Sequence, residues 1–287
     1  MNMLNQPQTV QELLQWAALF LGKERQMEAE LLLSKVSGYS RAKLWAYPEV
    51  KLSKRDQDFF TQLVQLRQSG EPLQYLLGTQ SFMGLDFLVN KNVLIPRSDT
   101  EVLVEETLNL AKNMQGPLRI LDLCTGSGAI AISLAKYLPE AAVTAVDISS
   151  EALETARANA ELNNLCQPVE FLQGDLFCPI GQGIFHIITS NPPYITTAEM
   201  LKLPDDVKKE PYIALWGGED GLDFYRRIIK ESRQHLKFPG WLLVEIGWQQ
   251  GERIKALFEK NGFDQCQIIK DWAGHDRVVK GRAHSPT

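Results

Sequence analysis

The stretch that decides the fold is Ile120-Leu121-Asp122-Leu123-Cys124-Thr125-Gly126-Ser127-Gly128-Ala129-Ile130. It starts as a short apolar run, continues through a loop with two glycines and ends in a helix-like segment, which is the pattern of a buried strand, a tight turn and a helix. Gly126 and Gly128 permit positive φ and a close approach of a ligand to the backbone. Because open α/β sheets bind ligands at the carboxyl ends of their strands, this loop is a candidate ligand site.

Downstream of residue 118, strand-like and helix-like segments alternate. The predicted strands cover residues 120–123, 143–146, 169–172, 184–189 and 242–246, and the predicted helices cover residues 129–138, 151–163, 222–236 and 250–261. Such alternation predicts a mostly parallel sheet with helices on both faces. Residues 265–269 and 277–280 are two further strands, joined by too few residues for a parallel crossover, so an antiparallel C-terminal hairpin is expected. The predicted fold class is α/β and Rossmann-like, which by analogy is the commonest shape of S-adenosylmethionine-binding enzymes.

The N-terminal part shows a different pattern, with apolar side chains at three-to-four spacing over residues 9–77. Helix breakers interrupt it at Gly22, Gly38, Pro48 and Gly70. A small bundle of four or five helices is therefore predicted, assigned to residues 1–80 as a recognition domain. Residues 81–95 predict a β-hairpin linker, and residues 96–287 the cofactor-binding domain. The first helix of that domain is expected over residues 101–114, with Asp99 or Thr100 as its N-cap.

Composition limits the class of protein. The chain carries a formal net charge of −5 and no long run of Lys or Arg, which fits poorly with a protein that wraps nucleic acid. Arg226, Arg227 and Lys230 could contribute to a basic surface, but a solvated helix face is the favoured interpretation. No apolar run approaches the ~20 residues that span a bilayer, and the first residues lack a secretion signal. We therefore expect a soluble, cytoplasmic protein.

Neither a metal site nor a disulfide framework is expected. The cysteines, Cys124, Cys166, Cys178 and Cys266, are scattered with no C-x-x-C pair. The histidines show no metal-ligand spacing, and His186 lies inside a predicted strand, where a hydrogen-bonded structural role is commoner.

Two acidic positions at strand ends indicate a nucleoside. Asp147 ends the second strand about twenty residues after the glycine loop, where a carboxylate can accept both ribose hydroxyls. The loop lacks the third glycine of G-x-G-x-x-G, which a dinucleotide uses for its pyrophosphate and which the phosphate-free S-adenosylmethionine does not need. At the end of the third strand, Asp175 would meet the adenine amino group and Leu176 the ring, although Gly-Asp at a strand end is also an ordinary turn.

The fourth strand ends in the tetrapeptide Asn191-Pro192-Pro193-Tyr194, which we call the clamp. An amide or adenine amino nitrogen is a poor nucleophile because its lone pair is delocalised. Accepting its two hydrogens, through the Asn191 side-chain oxygen and the Pro192 carbonyl, would orient the nitrogen and offset the charge that develops during methyl transfer. Proline presents acceptors without a competing N–H, and Tyr194 would stack on the flat group. No general base is needed before transfer, because the sulfonium methyl group is already activated by its positive charge. In-line positioning of nitrogen, methyl and sulfur can contribute roughly 7–11 kcal/mol.

The chain closely resembles the HemK/PrmC family, the protein-(glutamine) methyltransferases that modify peptide chain release factors. Besides the glycine loop, the resemblance rests on EPLQYLLG at 71–78, FMGL at 82–85, LIPRSDTE at 94–101, NPPYI at 191–195, GGEDGL at 217–222 and GHDRVV at 274–279. Together these motifs cover nearly the whole chain and are highly specific. The chain departs from the family's frequent residues at three positions: Ser98 replaces proline, Cys124 glycine and His275 arginine.

The resemblance implies methyl transfer from S-adenosylmethionine to the glutamine side chain in the Gly-Gly-Gln loop of a release factor. Residues 96–287 would then be the methyltransferase domain. The implied cofactor contacts are Cys124, Thr125, Gly126, Ser127, Gly128, Asp147, Leu176 and Asn191. The implied glutamine contacts are Asn191, Pro192, Pro193 and Tyr194, with residues 96–100, including Arg97 and Thr100, helping to close the site.

Two other functions stay open at this stage. Enzymes that methylate the adenine amino group of DNA or RNA carry a similar clamp, so the tetrapeptide alone does not select the substrate. A non-catalytic S-adenosylmethionine-binding module is the alternative of another class, and it would be expected to show a broken clamp.

Overall fold

The computed structural model describes residues 8–284, which divide into two compact units. The first comprises residues up to 78 together with residues 204–209, and the second comprises residues 79–203 and 210 onward. Within the described range, no helix is both long and apolar enough to cross a membrane. The part of the first domain that falls on residues 1–7, and the last three residues of the chain, lie outside the described residues.

The first unit is a bundle of short helices: α1 Val10–Leu21, α2 Gln26–Ser37, α3 Arg41–Ala46, α4 Lys54–Gln68 and α5 Leu73–Leu77. Thr9 and Glu12 form a capping box that starts α1, and Gly38 ends α2 at a φ of 68°. The apolar faces of α1, α2 and α4 meet in a core around Leu13, Leu32 and Phe60. This core explains the three-to-four spacing of apolar residues.

The second unit opens with a β-hairpin of β1, Thr79–Phe82, and β2, Leu85–Leu88, so the strands lie earlier than the predicted range of 81–95. The turn consists of Met83 and Gly84, both at positive φ (50° and 70°), as a two-residue hairpin turn of type I′ requires. Residues 89–95, which the sequence placed in the hairpin, have no regular structure.

The second unit continues with helices and strands in alternation. They are α6 Glu101–Ala111, β3 Arg119–Leu123, α7 Ala129–Tyr137, β4 Ala142–Asp147, α8 Ser150–Leu162, β5 Glu170–Gln173, β6 Phe185–Ser190, α9 Thr197–Met200, α10 Tyr212–Leu215, α11 Asp223–His235, β7 Leu236–Glu245, α12 Gly251–Lys260, β8 Phe263–Lys270 and β9 Asp276–Ala283. The sheet order is β5-β4-β3-β6-β7-β9-β8, with β9 antiparallel to both neighbours. The predicted α/β fold with an antiparallel C-terminal hairpin is confirmed.

Side chains alternate between the two faces of this sheet. Ile120, Val143 and Ile187 belong to the core on one face, whereas Leu121 and Ile188 belong to the core on the other. Because β3, β4, β5, β6 and β7 run parallel, their carboxyl ends meet at one edge. The predicted site residues follow these strand ends.

Candidate active site

A cavity of about 200 Å³ opens at the carboxyl edge of the sheet, within the second unit. Its lining includes seven predicted site residues, Cys124, Gly126, Asp147, Asp175, Leu176, Asn191 and Pro193. Apolar side chains with a carboxylate on each side suit a nucleoside, whose ring is flat and apolar and whose hydroxyl and amino groups donate hydrogen bonds. The lining therefore fits the adenosine part of S-adenosylmethionine.

The glycine loop is shaped by left-handed backbone conformations. The φ angles are 58° at Cys124, 55° at Gly126 and 81° at Gly128. Thr125, Ser127 and Gly128 do not line the cavity but support the loop from behind: the Thr125 hydroxyl donates to Asp122 (2.6 Å), and the Ser127 carbonyl accepts from Asn159 (2.9 Å). The three residues thus set the path of the main chain around the ligand space.

Asp147 holds the glycine loop and the next helix together. Its Oδ2 accepts from the Gly126 N–H at 2.8 Å, and its Oδ1 accepts from the Ser149 N–H at 3.0 Å. Burial raises the pKa of the carboxyl, although these backbone hydrogen bonds oppose the rise. Each oxygen of a carboxylate has two acceptor sites, so these bonds leave capacity for ribose hydroxyls.

Asp175 and Leu176 follow β5. Leu176 is buried and has a φ of 51°, a left-handed conformation that turns its side chain into the cavity wall. The Asp175 carboxylate accepts through Oδ2 from the Arg227 guanidinium at 2.6 Å. The sequence did not assign Arg227 to the site, although it also lines the cavity.

The clamp begins directly after β6. The Asn191 Nδ2 donates to the Thr100 hydroxyl at 3.3 Å, and Pro192 and Pro193 are buried. Burial, and then the nearby Glu245 carboxylate, raise the pKa of Tyr194, so its phenol stays neutral. Asn191 and Pro193 line the first cavity, whereas Tyr194 lines a second cavity of about 520 Å³. The clamp therefore separates two cavities within the same unit.

Comparison with known proteins agrees with this geometry. Residues 12–78 match the family described as PrmC N-terminal domain, and residues 99–203 match Methyltransferase small domain. A release factor glutamine methyltransferase of Geobacter sulfurreducens is 43% identical over 96% of each chain, and one of Moorella thermoacetica is 45% identical over 89% of this chain and 91% of its own. The chain belongs to the release factor glutamine methyltransferase family.

A solved methyltransferase from Pyrococcus furiosus shares the fold, with a TM-score of 0.52 and 23% identity over 71% of this chain and 92% of its own. At one of the three positions where this chain departs from the family's frequent residues, the structure shows why glycine suits the position better than the residue present. Cys124 occupies a left-handed conformation in which glycine is free of strain. Nothing in the structure explains Ser98 or His275, the latter a half-exposed ring beside Trp248.

The segment 96–100 of this family member is held by ion pairs. The Arg97 guanidinium pairs with the buried Glu210 carboxylate, which also accepts from the Ile95 N–H at 2.9 Å. This ion pair anchors the segment, and the predicted contact of Arg97 with the substrate stays a prediction. Asp99 pairs with Arg277 at 3.1 Å.

Thr100 differs from the expectation. It was a candidate N-cap for α6, yet it has helical φ and ψ and its side chain makes no cap hydrogen bond. A short 3₁₀ turn at Ser98–Thr100 leads into the helix, and the Thr100 hydroxyl is turned to Asn191. The segment 96–100 therefore contacts the clamp through Thr100.

Three further residues of this family member escaped the sequence reasoning. Asp122 is buried and accepts from the hydroxyls of Thr125 (2.6 Å) and Thr189 (2.9 Å), and burial raises its pKa to about 7. Gln250 donates to the Tyr194 carbonyl at 3.1 Å. Glu245 is a buried carboxylate at the end of β7. A charge directly after the apolar run 242–244 was the signal that could have found Glu245.

Proposed function

We propose that this chain transfers a methyl group from S-adenosylmethionine to the side-chain amide nitrogen of the glutamine in the Gly-Gly-Gln loop of peptide chain release factors, in the cytoplasm. The observation that carries the proposal is the intact clamp between two cavities, one lined by Asn191 and the other by Tyr194. The relatives' names, release factor glutamine methyltransferase, support the same reaction.

The residues of the first cavity would hold the cofactor. Asp147 would accept from the ribose hydroxyls and Asp175 from the adenine amino group, with Leu176 against the ring. Arg227 keeps the Asp175 carboxylate in place through one oxygen. When bound, S-adenosylmethionine supplies a methyl group activated by the sulfonium charge, and S-adenosylhomocysteine is the product.

The clamp would hold the amide. The Asn191 Nδ2 is already engaged with Thr100, so its Oδ1 is the atom left to accept from the substrate N–H. The Pro192 carbonyl would accept the second hydrogen, and the neutral Tyr194 ring would fix the plane of the amide. On taking the methyl group from the sulfonium, the amide nitrogen would lose a proton to water, and the Asn191 and Pro192 oxygens would offset the charge that develops on the nitrogen.

The observed ion pairs disfavour nucleic acid as the substrate. Arg226 pairs with Asp220 at 2.6 Å and Arg227 pairs with Asp175 at 2.6 Å, so two cations that could have formed a basic face are neutralised. Phosphate binding would have to displace these partners.

One labelling experiment tests the proposal. The purified chain is incubated with S-adenosylmethionine labelled in its methyl group. Separate reactions contain a release factor, the same factor with its loop Gln changed to Ala, duplex DNA, or RNA. We expect label on the unchanged release factor alone. Label on the Ala variant, or on nucleic acid only, would overturn the assignment.

A further inference from the structure

The strand register places two polar side chains beside one another at the carboxyl edge of the sheet. Ser190 of β6 pairs with Val244 of β7, so the next residues, Asn191 and Glu245, stand side by side. On the other side of β7, the Ile246 N–H donates to the Arg277 carbonyl at 2.9 Å. Glu245 therefore lies between the clamp and the strand that carries Arg277.

The Glu245 side chain is buried without full hydrogen bonding. Only 2% of the residue is exposed, and its Oε2 has no hydrogen-bond partner among residues 8–284. The side chains of Thr100 and Asn191 are hydrogen-bonding neighbours of the carboxylate. A buried carboxylate that is only partly paired destabilises the folded chain, so its position next to the clamp calls for a functional explanation.

The direction of hydrogen bonding supplies that explanation. An ionised carboxylate can only accept hydrogen bonds. Any amide or hydroxyl group that faces it must therefore donate, and the Asn191 Nδ2 is indeed the atom on the Thr100 side, at 3.3 Å. We propose that Glu245 is a positioning residue, which holds the Asn191 amide with Nδ2 turned inward and Oδ1 turned to the substrate.

The part of this proposal that concerns the substrate rests on the proposed function; the amide orientation does not. An Asn191 amide rotated by half a turn would present Nδ2, a donor, to the N–H groups of the glutamine and would repel them. Glu245 thus acts through Asn191 and needs no contact with the substrate.

The proposal implies a dependence on pH. Burial raises the pKa of Glu245 to about 7, opposed by the hydrogen bonds from Thr100 and Asn191 and by the charge of Arg277, and supported by the charge of Asp99. Burial raises the pKa of the neighbouring phenols Tyr194 and Tyr225, so both stay neutral. Protonated Glu245 can donate, which removes the constraint on Asn191. Turnover should therefore be present above about pH 7 and be lost as the pH falls through that value.

The test compares Glu245→Gln with Glu106→Gln. Glu106 carries a shielded ion pair to Lys280 at 2.5 Å, and neither residue lines either cavity beside the clamp, so this variant controls for the loss of a carboxylate from this unit. We expect Glu245→Gln to lower kcat on the order of 100-fold, the usual cost of a misplaced reacting group, and to abolish the ascending limb of the pH profile. Glu245→Asp, which retains the charge, should have a higher kcat than Glu245→Gln and should keep the ascending limb of the pH profile. The control should keep kcat within about twofold and keep the limb.

A second readout needs neither substrate nor cofactor. The Asn191 side-chain amide signals are assigned by ¹⁵N NMR as those lost in Asn191→Ala. In the unliganded wild type they should shift with pH around the Glu245 titration, and in Glu245→Gln they should not. If wild type transfers no methyl group but the signals behave in this way, the proposed function fails and the positioning role stands. A Glu245→Gln variant with wild-type kcat, pH limb and amide signals would overturn the positioning role, as would one that only unfolds more easily.

Discussion

The two sides of the clamp are built in different ways. On the cofactor side, Cys124, Gly126 and Leu176 hold left-handed φ angles of 58°, 55° and 51°, so main-chain conformation shapes the cavity. On the Glu245 side, the Asn191 side chain, which also lines the cofactor cavity, relies on side-chain hydrogen bonds and burial of charge. The difference teaches that cofactor binding and methyl transfer should respond to different substitutions.

The largest effect is expected at Asn191. Asn191→Ala removes the acceptor for the substrate amide, and the loss of one preorganised hydrogen-bonding group typically lowers kcat by about 10²–10³-fold. Cofactor affinity should be weaker but measurable, because Asn191 is only one residue of the lining. Single-turnover rates and titration calorimetry measure the two quantities. Wild-type turnover in this variant would disprove the role of the clamp.

Asp147 should show the opposite pattern to Asn191, with a larger effect on cofactor affinity than on turnover. Asp147→Asn weakens acceptance from the ribose hydroxyls, and hydrogen bonds to a charged group contribute about 1.5–3 kcal/mol, so the dissociation constant should rise roughly 10- to 100-fold. Turnover at saturating cofactor should change little. Because burial raises the pKa of Asp147, affinity should fall as the pH is lowered through that raised pKa. If kcat falls as far as in Asn191→Ala, the two sides of the clamp are not separable.

Gly128 offers a test of main-chain shape on the cofactor side. A Cβ there would come within 2.8 Å of Ile132 and 3.1 Å of Ala156, at a φ of 81°. Gly116 has the same φ of 81° with nothing within 4 Å, so Gly116→Ala measures backbone strain alone. We expect Gly116→Ala to lower the free energy of unfolding by about 1 kcal/mol and Gly128→Ala by about 2–4 kcal/mol, with weaker cofactor binding only in the latter. If urea unfolding gives the same loss of unfolding free energy for both variants, packing behind the loop is unimportant.

These expectations also show what a sequence can and cannot reveal. The order of strands and helices follows from apolar periodicity, so the α/β fold was predictable. The positions of Asp147 and Asn191 followed because both lie at the ends of predicted strands, Asp147 directly after residues 143–146 and Asn191 two residues after residues 184–189. The hairpin lies earlier than predicted because Met83 is the first residue of its type I′ turn. That position requires a positive φ, which a non-glycine residue rarely adopts, so the sequence shows no sign of a turn there.

The side-chain network behind the clamp could not be predicted. Glu245 lies 54 residues after Asn191 along the chain, and only the parallel register of β6 and β7 brings them together. Arg97 pairs with Glu210, which lies 113 residues away along the chain, and the motif around Arg97 gives no sign of this partner. Contacts of this kind depend on tertiary packing, whereas a motif gives only the local backbone.

The smallest effect concerns Cys124. At ordinary φ, alanine is more stable than glycine by roughly 0.5–1 kcal/mol, but at a φ of 58° alanine is strained and glycine is not. Both Cys124→Ala and Cys124→Gly remove the thiol, so their difference isolates the backbone. We expect the glycine variant to be more stable than the alanine variant by about 0.5–1 kcal/mol in urea unfolding.

Ser133 is the matched control for the expected order at Cys124, where the glycine variant is more stable than the alanine variant. It lies buried in α7, and its hydroxyl has no hydrogen-bond partner among the described residues, so Ser133→Ala should cost little. Ser133→Gly should be about 1 kcal/mol less stable than Ser133→Ala, the usual order in a helix. If Cys124 followed the same order, its left-handed conformation would not be strained, and the preference for glycine on the cofactor side would need a cause in ligand contact instead of backbone shape.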